Sequence, residues 1–235
     1  MKSTVEEIRQ RFDNDVERFS NLETGQSAAV DAVLCLDLIT QAAARVSPGA
    51  KSVLDIGCGA GNYSLKLLEQ LPDLDVTLLD LSQPMLDRAL SRVQPATSGT
   101  VETVQADIRE FEAGRECFDI VLAAAVFHHL RETSQWQAVF SRLHRALTGG
   151  GSLWIFDHVE SATPQVQELM KKRHGEHLTQ LRNQEYRDEV FAYIEKEDTP
   201  RPLLFQIDIL RQCGFQELEV LHLNTNFAAF GAIKK

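Results

Sequence analysis

The 235-residue chain predicts an α/β fold: a mostly parallel sheet with crossover helices on both faces. Three observations carry that prediction. From Lys51 onward, short apolar runs alternate with segments of helical spacing, the pattern of successive strand–helix–strand units. The first apolar run ends in an acid and a glycine-rich turn, VLDIGCGAGNYS, over residues 53–64. Acids also close the next two apolar runs, Asp80 in TLLDLS and Asp107 in QADIRE. In an open α/β sheet, ligands bind at that carboxyl edge of the strands.

The elements follow in order. Residues 1–20 predict an amphipathic helix, with Val5, Ile8, Phe12, Val16 and Phe19 spaced three or four apart. NLETGQ reads as a loop, and a second helix is expected over residues 27–45, stopped by SPGA. KSVLDIG is the first strand, and NYSLKLLEQL a helix that stops at Pro72. DVTLLDLS is the second strand. QPMLDRALSRV is a helix with Ser82 as N-cap and Pro84 in its first turn. TVETVQAD alternates as a third strand, and CFDIVLAAAVFHHL is a buried fourth strand running into a turn. SQWQAVFSRLHRAL is helical, TGGG terminates it, and SLWIFDHV is the fifth strand. Residues 161–200 are polar and predict a helical insertion of two segments. RPLLFQIDILRQCGF is the next helix, with Gly214 as its stop. QELEVLHLNT and NFAAFGAIKK read as an antiparallel hairpin at the sheet edge. The expected organisation is one domain over 1–235: an N-terminal helical cap (1–46), a cofactor-binding core (50–160), the insertion (161–200), then the last helix and hairpin (201–235).

Composition narrows the function. The apolar runs fall far short of the ~20 residues a membrane span needs, and the charged start MKSTVEEIRQRF has no secretory apolar region. Cys35, Cys58, Cys117 and Cys213 are scattered, without C-x-x-C or metal-ligand spacing. Reduced thiols, a cytoplasmic location and no metal are therefore expected. A net charge of −10 argues against direct nucleic-acid binding. The basic cluster MKKRHGEH, residues 170–177, reads as a solvated helix face. The expected partner is a small molecule, and the N-terminal apolar stripe could cover the site or form a homodimer.

Gly57, Gly59 and Gly61 stand at every second position. Glycines there let a ligand approach backbone N–H groups closely. The spacing is one residue short of the dinucleotide fingerprint, which disfavours a nicotinamide dehydrogenase, and no Lys follows as a phosphate loop requires. A loop carrying Asp55 and no cation suits a cationic ligand better than a pyrophosphate. S-adenosylmethionine has an ammonium, a sulfonium and a ribose diol that would use Asp55 and Asp80.

VLDIGCGAG, LLDLSQPML, ADIRE, FDIVLAAAVFHHL and LTGGGSLWIFD resemble the successive motifs of class I S-adenosylmethionine-dependent methyltransferases. The closing hairpin after CGF resembles that family's reversed last strand. The resemblance implies a Rossmann-like, seven-stranded, mostly parallel sheet with an antiparallel last strand. It implies that Asp55, Gly57, Gly59 and Gly61 surround the methionine part, with Cys58 a small filler in the loop. Asp80 would grip the ribose, with Leu81 and Met85 near the adenine. Asp107 would meet the adenine amino group, with Ile108 against the ring. Carbonyls around Ala123 and Ala124 would lie near the ammonium, and Phe127 and His128 would line the opening to substrate. The implied reaction is methyl transfer to a small-molecule acceptor, leaving S-adenosylhomocysteine.

Methyl transfer is an in-line displacement that gains mainly from positioning. A base helps only if the nucleophile must lose a proton. His128 and His129, after the fourth strand, are the candidates, though one of them could instead cap or pack under the turn. Asp157 and His158 end the fifth strand and could meet substrate or cap the insertion's first helix. Tyr186 and Arg187 in the insertion could hold an anionic or aromatic substrate, or form a solvated face. FDNDVERFSNL, the insertion, and NFAAFGAIKK after CGFQELEV also resemble, in layout, carboxy-S-adenosylmethionine synthases. That resemblance implies conversion of the cofactor itself with prephenate, for tRNA wobble-uridine modification, with Arg187 as the anion-binding counterpart. GCGAG is more regular than the usual loop of that family, so methyl transfer is the expectation. A cofactor-binding protein without catalysis is the third reading.

Overall fold

The computed structural model describes residues 2–21 and 25–235. Its strands are β1 (Ser52–Ile56), β2 (Asp75–Asp80), β3 (Val101–Gln105), β4 (Phe118–Ala124), β5 (Leu147–His158), β6 (Glu217–Asn224) and β7 (Phe227–Ile233). They form one seven-stranded sheet in the order β3-β2-β1-β4-β5-β7-β6. β1 pairs in parallel with β2 and β4, and the parallel ladder extends to β3 and β5. β7 runs antiparallel to both of its neighbours, β5 and β6. The chain reverses its direction of winding between β1 and β4, and that switch point opens a crevice at the strands' carboxyl ends.

Alternation along the strands feeds two cores. Val53, Leu78, Ile120 and Leu122 face α3 (Ala32–Val46), α4 (Asn62–Leu68) and α5 (Gln83–Val93), meeting Ile39, Leu67 and Leu86. Leu54, Ile56, Val121 and Ala123 face α6 (Thr133–Ala146) and α9 (Leu203–Gln212), meeting Trp136, Phe140 and Leu210. Both sheet faces are covered, which is why β1 and β4 are near-continuous apolar runs. Local signals set the helix ends. The Ser82 side chain accepts from the Met85 amide at 3.3 Å, with Pro84 in the first turn. Gly214, at φ +104°, follows the end of α9. The insertion forms α7 (Pro164–Leu181) and α8 (Gln184–Glu197).

Three expectations change. The N-terminal helix is two pieces, α1 (Val5–Asp13) and α2 (Val16–Phe19). Asn14 breaks it: its backbone amide closes on the Arg11 carbonyl, and its side chain donates to the Gln10 carbonyl at 2.8 Å, the local competition that makes Asn a poor helix interior. The helix expected from residue 27 starts at Ala32. Asp31 sits at φ +59°, its carboxylate accepting from His222 and Asn224 of β6, each at 2.8 Å. TGGG does not form a turn after α6 but begins β5. The Gly150 amide donates to the Lys234 carbonyl at 2.8 Å, and the Lys234 amide to the Gly151 carbonyl at 2.9 Å. Of the expected loop NLETGQ, residues 22–24 lie outside the described residues.

Candidate functional site

Three glycines with left-handed backbones carry the chain from β1 into α4: Gly57 at φ +60°, Gly59 at +50° and Gly61 at +82°. Their surroundings differ. A Cβ at Gly59 would meet no atom within 4 Å, whereas one at Gly61 would lie 2.8 Å from Val93 of α5. Gly57 packs against Val126. Gly57 and Gly59 therefore border the crevice, and Gly61 seats the loop on α5. The loop is tied to β2: the Cys58 amide donates to the Leu79 carbonyl at 3.0 Å, and the Gly59 amide to Asp80 Oδ2 at 2.9 Å. The Ser82 amide donates to Asp80 Oδ1 at 2.9 Å, and the Ser64 hydroxyl to Asp55 Oδ2 at 2.6 Å. Burial pushes the Asp55 carboxyl up to about 7 and that of Asp80 up to about 6, against the pull of these donors.

These groups border one cleft. Asp55, Gly57, Cys58, Gly59 and Asp80 line one wall, and Leu81, Met85, Asp107 and Ile108 extend it. Asp107 accepts from the Arg109 amide and Nε, each at 2.9 Å, so Arg109 joins the same wall. Ala124 lines the cleft, but Ala123 and Phe127 do not. Phe127 is fully buried, 5.0 Å edge-to-face from Phe140. The 3-10 turn Phe127–His129 sends Phe127 into the core and leaves His128 and His129 on the cleft. Phe127 is thus a packing residue, not the cleft-lining residue expected.

The opposite wall comes from outside the core. Ile8 and Phe12 of α1, Phe19 of α2 and Tyr193 of α8 line the cleft. The apolar stripe of the first helices therefore faces the site. Arg11 holds that arrangement, donating to both Glu197 oxygens, Nε at 3.1 Å, and to the Tyr193 hydroxyl at 3.0 Å.

A buried His/Asp network adjoins the cleft at His128 and His129. The His128 backbone amide donates to Asp157 Oδ2 at 3.0 Å, and its ring Nδ1 meets Asp157 Oδ1. Asp198, following α8, completes the network. Its Oδ1 is 3.6 Å from His128 Nε2 and 3.9 Å from His129 Nδ1, and its Oδ2 is 3.3 Å from His158 Nδ1. Burial alone would lower the His128 pKa, but the charges of Asp198 and Asp157 outweigh it and hold it up to about 9. Burial and the neighbouring His128 push His129 down to about 3. Neither ring nitrogen of His129 has a hydrogen-bond partner, and the Glu197 backbone lies beside the ring.

Asp157 and His158 do not cap the insertion; Thr163 is the N-cap of α7. Tyr186 and Arg187 do not reach the cleft. The Tyr186 ring lies under Arg182, and Arg187 pairs with Asp188 at 2.7 Å in a separate groove between α7 and α8. Sequence reasoning missed Arg109, Tyr63 and Asp198. Arg109 had a local signal, two residues beyond Asp107. Asp198 had none, because only the packing of the insertion brings it to the histidines.

Comparison with known proteins points to methyltransferases. Residues 53–151 match the family model described as a methyltransferase domain. A malonyl-[acyl-carrier protein] O-methyltransferase from Paenibacillus sp. (strain JDR-2) is 36% identical over 103 residues, 43% of this chain and 36% of that protein. An uncharacterized methyltransferase of Mycobacterium tuberculosis (strain ATCC 25618 / H37Rv) is 34% identical over 116 residues, 49% of this chain and 55% of that one. The chain thus spans about half, or less, of the length of these curated relatives. Human N-acetylserotonin methyltransferase in complex with SAM superposes with a TM-score of 0.61 at 15% identity, covering 94% of this chain and 56% of that one. The [4+2]-cyclase SpnF superposes at 0.66 with 14% identity, covering 100% and 97%. These two likenesses are of fold. Among the described residues, no helix is long and apolar enough to cross a membrane.

Proposed function

We propose that the chain is a class I S-adenosylmethionine-dependent methyltransferase that transfers a methyl group from S-adenosylmethionine to a small-molecule acceptor at the histidines bordering the cleft. One observation carries the reading: a single cleft unites the left-handed glycine loop and the acids ending β1 and β2 with Asp107 and two histidines. The residues present fit the cofactor. Gly59 opens onto free space, and the buried Tyr63 hydroxyl on the cleft wall has no hydrogen-bond partner.

Gly57, Gly59, Asp55 and the Tyr63 hydroxyl would hold the methionine end. Asp80 would take the ribose hydroxyls, while Leu81, Met85 and Ile108 would pack on the adenine, with Asp107 at its amino group. Bound there, S-adenosylmethionine supplies a methyl group activated by its sulfonium and is left as S-adenosylhomocysteine. The chain's own contribution is position and dryness. Ile8, Phe12 and Phe19 exclude water, which favours a displacement in which charge disperses, and a fixed acceptor replaces a bimolecular encounter. His128 and His129 are the polar groups that would meet the acceptor.

The carboxy-S-adenosylmethionine synthase reading is not favoured, because Arg187, its anion-binding counterpart, lies in the α7–α8 groove. A cytoplasmic location is part of the proposal and accords with four free cysteines. The test is calorimetric titration of the purified protein with S-adenosylmethionine and S-adenosylhomocysteine, with mass spectrometry of any small molecule that co-purifies. Binding of both is expected. Binding of neither would sink the reading, and a carboxylated cofactor would replace it with the synthase.

A further inference from the structure

The His/Asp network has a geometry that hydrogen bonding does not explain. His128, His129 and Asp198 each offer a donor atom, and the three atoms lie within 4.8 Å of one another. Asp198 Oδ1 is buried, in a residue only 4% exposed, and accepts no hydrogen bond. Its distances to His128 Nε2 and His129 Nδ1, 3.6 and 3.9 Å, are too long for one. Ligand atoms around a metal with bonds of about 2.1 Å stand roughly 3.0–3.4 Å apart. Both separations are thus within about half an ångström of that spacing.

The other end of two of these donors is already held. His128 Nδ1 is bound by Asp157, which leaves Nε2 facing Asp198. Asp198 Oδ2 is bound by His158 Nδ1 at 3.3 Å. The Thr199 amide donates to the His128 carbonyl at 2.7 Å, fastening the histidine turn to the segment that carries Asp198. Carboxylates and histidines behind the ligands are the usual support of a metal site. Two histidines that line the cleft and one carboxylate form the three-ligand set that leaves coordination positions free.

We propose that His128, His129 and Asp198 bind a divalent first-row transition-metal ion at the acceptor end of the cleft. Binding would displace the proton from His128 Nε2, and the two imidazoles and one carboxylate would then leave such an ion with a net positive charge. Its open positions would take oxygen donors, so the acceptor class is a molecule with an anionic or chelating oxygen pair. That role of the ion rests on the methyl-transfer reading; the site itself does not. It also departs from the expectation of no metal, which rested on spacing between near neighbours in the chain.

The experiment titrates untagged, chelator-treated full-length protein with Co²⁺ alone and reads visible absorption. The expected result is one Co²⁺ per chain with an intense low-coordinate spectrum, displaced by Zn²⁺. His129→Ala should weaken Co²⁺ binding by ~10-fold or more with unchanged circular dichroism, since that ring makes no hydrogen bond to lose. Asp157→Asn, behind the ligand, should weaken it by about 10–100-fold. A spectrum no different from aqueous Co²⁺, or equal binding by the folded His129→Ala variant, would overturn the site. Titrating the same metal-free sample with S-adenosylmethionine separates the two proposals. Donor binding without cobalt removes the metal site alone; cobalt binding without the donor leaves the site standing and removes the methyl-transfer reading.

Discussion

The Gly59 amide donates to Asp80 Oδ2 at 2.9 Å, which makes the loop after β1 and the acid ending β2 one hydrogen-bonded unit. A disturbance of either reaches the other. In an open α/β sheet this junction lies beside the switch point, where a ligand spans two strand ends.

Gly59→Val should abolish S-adenosylmethionine binding while the chain stays folded. A β-branched residue at φ +50° costs on the order of 1–2 kcal/mol, too little to unfold a typical domain. Its side chain would project toward the cleft. Calorimetry and thermal melting of the same preparation check both halves. Unchanged affinity in a folded variant would remove the glycine loop from the site.

Acidity at Asp55 and Asp80 gives a pH dependence of known sign. Burial raises both carboxyls above their unfolded value of 3.8, to about 7 and about 6. Between those limits the folded chain binds more protons than the unfolded one, so stability should fall as pH rises from about 4 to about 7. Affinity for the cationic cofactor should move the other way, tightening as the carboxylates ionise. Urea unfolding and calorimetry across that range test the pair. Asp80→Asn should flatten both profiles, and a stability that rises with pH through this window in the parent but not the variant would contradict the assignment.

Arg187→Ala should leave cofactor affinity within about twofold of the parent, because Arg187 pairs with Asp188 outside the cleft. A large loss of affinity, or loss of a carboxylated co-purifying cofactor, would revive the synthase reading.

Phe127→Ala should act on stability rather than on binding chemistry. The ring is fully buried against Trp136 and Phe140, and emptying such a position costs about 3–5 kcal/mol. Chemical denaturation should show that loss. A variant of parental stability with impaired cofactor binding would instead return Phe127 to the cleft wall.

What was legible in the sequence was what nearest neighbours decide. β1 and β4 announced themselves as apolar runs, Ser82 and Pro84 as a helix start, and Asp55, Asp80 and Asp107 as acids at strand ends. Each signal sits within a few residues of its effect. The break at Asn14 was local too, but the regular stripe from Val5 to Phe19 masked it. Asp31 looked like helix interior, and only its bonds to His222 and Asn224 on β6 turn it out of the helix. TGGG carried the composition of a turn, yet hydrogen bonds that Gly150 and Gly151 make with Lys234, just past β7, draw it into the start of β5, with Gly150 left-handed at φ +83°. The histidine end was the least legible part. His128 and His129 stood out, but the roles of Asp157, Asp198 and Arg11 depend on contacts between segments remote in the chain. Periodicity and spacing carry no record of such contacts.

The Arg11–Glu197 clasp joins the first helix to the insertion, beside the cleft-lining Phe12 and Tyr193. The wall proposed to hold the donor, by contrast, is built from residues within 53–151, the span that matches the methyltransferase domain. Heritable change can therefore act on the two walls separately. On the methyl-transfer proposal, substitutions in α1, α2 and α8 would retune which acceptor is admitted without touching the glycine loop, Asp80 or Asp107. Because the clasp couples them, α1 and α8 should diverge as a pair, and exchanging α1 alone between relatives should leave Glu197 buried without its cation.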